Sequence, residues 1–205
     1  SLKRLHTVYL DVLLLHRPDA LMEAEETAEA LQTLFDAGKV RYFGVSNHNP
    51  AQIELLQQSF GQKLLFNQMQ ISVAHTPLMD AGMAVNMHTD QAIDRTGSTL
   101  EYCRLKGITL QAWSPFQKGF FEGPFLGDME NYPELNRKCQ ELAEKYQVTP
   151  TGIAVAWLTR HPANIQVILG TTQAQRMLDG RAGSQIPLTR PEWYGLYQAA
   201  GNMIP

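Results

Sequence analysis

Cysteine is scarce: Cys103 and Cys139 are the only two in 205 residues. Both fall in stretches that read as helix. That scarcity sets aside a disulfide framework or a cysteine-based metal centre and points to reduced thiols in a cytoplasmic protein. Long apolar runs are missing as well. No stretch reaches the ~18 residues that a membrane span needs, so no membrane partner is expected. The opening Ser1-Leu2-Lys3-Arg4-Leu5 lacks the apolar segment of a secretory leader. Charge of one sign is also lacking. The formal net charge is −3, there is no basic stripe, and nucleic acid is not an expected partner. No protein partner is readable. Repeats and low-complexity tracts are absent. What remains is an ordinary folded composition, 44% hydrophobic and 18% charged. The length suits one domain, or two small ones, with a sizeable core.

Five short apolar runs stand out: Val8–Leu15, Val40–Val45, Leu64–Gln68, Ile108–Trp113 and Ile165–Leu169. Nearly continuous apolar character predicts strands buried on both faces of a parallel sheet. Helical patterns lie between them. In Glu23–Ala37, Ala24, Ala28, Leu31 and Phe35 recur at helical spacing, and Gly38 follows as a stop. Asn49-Pro50 reads as a cap and first-turn proline for a helix burying Ile53, Leu56 and Phe60. Leu135, Cys139, Leu142 and Tyr146 form another stripe. Thr149-Pro150 opens a helix carrying Ile153, Val155, Trp157 and Leu158. Thr172 is expected to cap a short helix through Met177. Thr189 with Glu192 forms a capping box for the last helix.

Strand followed by helix, repeated, predicts βα units. No Gly-x-Gly-x-x-Gly follows any of these strands, so the dinucleotide fingerprint of doubly wound sheets is missing. The weight moves to a (β/α)8 barrel. A barrel needs eight strands and about 250 residues, whereas five strands are readable here. About three βα units are therefore expected to precede this sequence. Residues 72–96 read as one long irregular loop, a candidate substrate lid or insertion. Its His75, His88 and Asp90 match no strong ligand spacing, so no metal is expected.

In a barrel, chemistry collects where strands end. The five ends here are polar: His16 with Arg17-Pro18-Asp19, Ser46-Asn47, Asn67-Gln68, Trp113-Ser114-Pro115, and Gly170-Thr171-Thr172 with Arg176 in the next helix. Each has an ordinary reading as a cap, turn or core residue. Together they suit one ligand. Ser46, Asn47 and Gln68 offer amide and hydroxyl groups for a carboxamide. Trp113 offers a flat face for a planar ring. The helix start after the last strand is an anion site, and Arg176 can pair a further phosphate. Carboxamide, ring and phosphates describe a nicotinamide nucleotide.

These residues resemble the aldo-keto reductases. Tyr9-Leu10-Asp11-Val12-Leu13-Leu14-Leu15-His16-Arg17-Pro18-Asp19 is similar to the family signature around its active-site histidine. Gly38–Asn47, Phe66-Asn67-Gln68, Ala112–Phe116 and Ile168–Thr172 resemble the following motifs, in order. The tryptophan variant and the closing 191–205 segment look most like the bacterial oxidoreductase subgroup. The resemblance implies an α/β fold, a (β/α)8 TIM barrel with only its C-terminal five βα units in this chain, residues 1–205 forming a single domain. It implies an NADPH-dependent enzyme reducing small-molecule aldehydes or ketones to alcohols. His16 would be the catalytic residue beside the substrate carbonyl. Ser46, Asn47 and Gln68 would hold the carboxamide, and Trp113 would stack on the nicotinamide. Ser114, Phe116 and Lys118 would line the pyrophosphate. Gly170, Thr171, Thr172 and Arg176 would hold the adenosine phosphates, with Asp179 near the adenosine. Arg176 would favour NADPH over NADH. The family's general-acid tyrosine, with its lysine and aspartate, belongs to strands earlier than those present. A non-catalytic NADPH-binding module and an inactive barrel fragment are therefore the alternatives.

Overall fold

The structure, a computed structural model, describes residues 1–120 and 122–205. In chain order the elements begin with α1 (Leu2–Leu5), β1 (Leu10–Leu15), α2 (Ala24–Asp36), β2 (Val40–Ser46), α3 (Pro50–Ser59), β3 (Leu64–Gln70) and α4 (Pro77–Met83). They continue with α5 (Thr99–Lys106), β4 (Thr109–Trp113), α6 (Pro133–Tyr146), α7 (Pro150–Thr159), β5 (Gln166–Val167), α8 (Ala174–Gly183) and α9 (Arg190–Ala199). The strand order in the sheet is the chain order, β1-β2-β3-β4-β5. The pairings of β1 with β2, β2 with β3 and β4 with β5 are parallel. The α/β architecture with five strands is the one expected.

The chain forms two compact units. The first comprises Ser1–Met69 and Gly97–Leu110, the second Gln70–Thr96 and Gln111–Pro205.

In the first unit, α2 turns Ala24, Ala28 and Leu31 inward and stops ahead of Gly38, whose φ of +66° suits glycine. α3 starts with a complete capping box: Gln52 N–H donates to the Asn49 side chain, and Asn49 N–H donates to the Gln52 side chain. Its Ile53 and Leu56 are fully buried, each contributing roughly 1.5–3 kcal/mol of hydrophobic stabilisation. Phe43 of β2 meets Phe60 edge to face, with ring centroids 5.1 Å apart. Gly44 admits the close approach of the three strands. A Cβ there would lie 2.6 Å from the Phe66 carbonyl oxygen and 2.7 Å from Leu14 Cδ2.

In the second unit, α7 is buried from Gly152 to Leu158, as an all-round apolar helix must be. Trp157 stacks on Trp193 of α9 at 4.7 Å, and each indole N–H donates to the other residue's backbone carbonyl. α9 carries the predicted Thr189–Glu192 capping box. α8 approaches α7 through glycines: a Cβ on Gly183 would fall 2.1 Å from the Gly152 carbonyl oxygen.

Three expectations need correction. β1 is half-buried with Asp11 exposed, and β5 is two residues long, so neither is a strand buried on both faces. Both are edges of the strand order and pair on one side. The helix expected to start at Thr172 starts at Ala174 and runs to Gly183. Thr171 Oγ1 accepts from Gln173 N–H instead, which makes a hydroxyl turn before the helix. Residues 72–96, expected to be irregular, contain α4 and a 3-10 turn at Asp90–Ala92. Tertiary bonds hold them. Tyr197 Oη donates to Asp80, and the Gln91 amide donates to Met203 O and accepts from Met203 N–H.

Candidate functional site

The strand C-termini of the first unit carry a bonded polar group. Ser46 ends β2 and Gln68 lies opposite it in β3. Ser46 Oγ donates to the Gln68 carbonyl at 2.9 Å, and Asn47 N–H donates to that same oxygen at 3.0 Å. Asn47 Nδ2 donates to Ser46 Oγ at 2.8 Å. Asn47 has a φ of +60°. That left-handed conformation is uncommon outside glycine, though asparagine tolerates it, and it occurs often at functional sites. His16 follows β1 directly and is exposed.

Two residues of this group escaped the sequence reading as site components. His48 is buried, and its Nδ1 lies 2.9 Å from the Ser46 carbonyl oxygen. An acceptor there fixes the proton on Nδ1. Burial lowers the His48 pKa, outweighing the opposing bond to Ser46. The ring is therefore neutral near pH 7. Asn67 of β3 is fully buried, and its Nδ2 donates to the His48 carbonyl at 2.8 Å. In the sequence Asn67 reads as a polar strand end beside Gln68, without a binding role of its own. A cleft of about 570 Å³ lies at the other end of these strands, against Val40, Tyr42 and Leu65. It touches none of the strand-end group.

In the second unit, Trp113 ends β4, half-buried, with its ring edge-on to Phe120 at 6.2 Å. Ser114 then takes a φ of +48°. Phe116 and Lys118 lie on a folded-back loop. Phe125 N–H donates to Phe116 O, and Lys118 N–H donates to Gly123 O. Lys118 Nζ lies 2.6 Å from Asp128. That bond raises the Lys118 pKa and holds the Asp128 carboxyl well below the usual carboxylate range. Gly170, beyond β5, has a φ of +62°. The first turn of α8 has no side-chain cap, and Arg176 stands there exposed. Asp179, one turn on, accepts from Gln175. Among the described residues Arg176 makes no ion pair, and no group of three histidine, cysteine or acidic side chains is placed to hold a metal. No helix among them is long and apolar enough to cross a membrane.

A profile described as "Aldo/keto reductase family" matches residues 1–194, through both compact units. The chain belongs to the aldo/keto reductase family. Its relatives place it with the bacterial members. A 6-dehydroglucose reductase of Agrobacterium fabrum is 34% identical over 201 residues, covering 98% of this chain and 60% of the relative. The Escherichia coli oxidoreductase YdhF is 33% identical, covering all of this chain and 62% of its own length. The chain thus spans about 60% of the length of the curated relatives it matches. Among solved structures, a thermostable aldo-keto reductase in complex with the inhibitor epalrestat superposes with a TM-score of 0.73 at 25% identity. It covers 97% of this chain and 62% of that one. An aldo-keto reductase from Klebsiella pneumoniae in complex with NADPH gives 0.74 at 24% identity, covering 98% and 62%. The α/β fold expected from the alternation of strands and helices is the fold these neighbours share.

Proposed function

We propose that this aldo/keto reductase takes part in NADPH-dependent reduction of an aldehyde or ketone to an alcohol. The observation that carries the proposal is the chemistry of the strand ends. The first unit sets hydroxyl and amide groups around a left-handed turn at Asn47, a donor and acceptor set suited to a carboxamide. The second unit offers an indole ring, a further left-handed turn at Ser114, and a helix start with an exposed arginine, suited to a ring and phosphates. Each unit's residues therefore fit one portion of a nicotinamide nucleotide, the carboxamide in the first and the ring and phosphates in the second. The NADPH bound by the Klebsiella neighbour and the reductase activity in the name of the Agrobacterium relative support the reading.

A bound NADPH supplies the hydride that reaches the carbonyl carbon. Ser46, Asn47 and Gln68 would hold the carboxamide and so fix the orientation of the ring. Trp113 packs against the ring and keeps water from it. Ser114, Phe116 and Lys118 line the pyrophosphate. Gly170, Thr171, Thr172 and Arg176 take the adenosine phosphates, with Asp179 beside the adenosine. The guanidinium of Arg176 favours a 2′-phosphate and hence NADPH over NADH. His16 donates an N–H to the carbonyl oxygen, which polarises the bond and aligns its carbon. The alkoxide then takes a proton from an acid outside the residues assigned here. A cytoplasmic location accords with Cys103 and Cys139 remaining as buried thiols.

The test is NADPH oxidation by the purified protein, followed by absorbance with a panel of aldehydes, ketones and oxidised sugars. Carbonyl-dependent oxidation that falls in His16→Ala is the expected result. NADPH binding without turnover on any member of the panel would leave a non-catalytic binding module instead.

A further inference from the structure

We infer that Asn67 is a positioning residue for carboxamide recognition, acting through the backbone of His48. The inference rests on the nicotinamide reading above. The Ser46-Asn47-His48 segment turns at a residue of positive φ, a conformation kept only when its surroundings fix it. Three bonds do so. Asn47 N–H is held by the Gln68 carbonyl at 3.0 Å. The Ser46 carbonyl lies 2.9 Å from His48 Nδ1. The third bond anchors the segment from below: Asn67 Nδ2 donates to the His48 carbonyl at 2.8 Å.

Asn67 is fully buried, and its Oδ1 has no hydrogen-bond partner among the described residues. A side chain kept for stability alone would be better replaced there by an apolar one of equal size, because a buried unpaired oxygen is costly. The half-satisfied amide is explained if its useful part is the single donor aimed at the His48 carbonyl. Asn67 does not itself touch the nucleotide in this account. It fixes the height and tilt of the turn from which Asn47 and Ser46 do.

The test compares two probes on the intact protein and on Asn67→Leu. NADPH carries the nicotinamide; adenosine 2′,5′-bisphosphate lacks it. The leucine keeps the branched four-atom side chain while removing both the donor and the unpaired oxygen. The expected result is an NADPH Kd raised on the order of tenfold, as loss of one well-placed hydrogen bond implies. The bisphosphate Kd stays unchanged, while the thermal midpoint falls modestly because the His48 carbonyl loses its donor. Asn67→Ala repeats the comparison should the leucine fail to fold. Equal weakening of both probes, or an unchanged NADPH Kd, overturns the inference and leaves the NADPH reading intact. Failure of the unaltered protein to bind NADPH overturns both.

Discussion

Asn47, Ser114 and Gly170 share a left-handed backbone, and each stands just beyond the end of a strand. Only Gly170 adopts it without steric cost. At Asn47 the side chain and the backbone conformation have separable roles, which substitution distinguishes. Asn47→Gly keeps the turn and loses the amide. It is expected to fold as before, within about 1 kcal/mol by urea unfolding, and to bind NADPH more weakly. Asn47→Val forces a β-branched residue into the same conformation and is expected to cost about 1–3 kcal/mol. Equal stability of the two variants would argue against strain at this turn. At this scale the strand-end residues were legible because each is a polar group closing an apolar run. His48 and Asn67 were passed over as site components. Sequence shows that a residue is polar, but not that it is buried and aimed at a neighbour's carbonyl.

Among the elements, α9 is built most clearly by its own sequence. The Thr189–Glu192 box was readable from the spacing. What spacing did not show is that Glu192 also bonds Lys145 and Tyr146 of α6. Burial alone would raise the Glu192 pKa. The bonds from Lys145, Thr189 and Tyr146 together outweigh it and hold the carboxyl down at about 2. A carboxyl depressed on folding contributes stability that is complete above its ordinary value of 4.5 and is lost as pH falls toward about 2. The urea midpoint gap between the unaltered protein and Glu192→Gln should therefore be widest near neutral pH and close on acidification. A gap that does not change with pH would contradict this. α8 was harder to read. Thr172 has the composition of a cap, but Thr171 accepts from Gln173 N–H and the helix starts at Ala174. Gly183→Ala would drive a Cβ into the Gly152 carbonyl. It is expected to destabilise the protein by about 1–3 kcal/mol in equilibrium unfolding, and a neutral effect would mean the two helices separate freely.

For the whole molecule, the alternation of apolar runs and helical stripes was enough to anticipate parallel strands in chain order. Each connection contains at least one helix, and the hand and adjacency of βα units leave few alternatives. The segment 72–96 was not legible in the same way. α4 and the 3-10 turn depend on bonds from Asp80 and Gln91 to Tyr197 and Met203, partners more than 100 residues away in the chain. No local pattern announces such contacts. Family membership follows from the match over residues 1–194, while the activity rests on what the strand ends bind. The most direct measurement is titration calorimetry of the purified protein with NADPH and, separately, NADH. The account predicts a single class of site that prefers NADPH, with the preference lost in Arg176→Ala. Absence of binding by either nucleotide would contradict it.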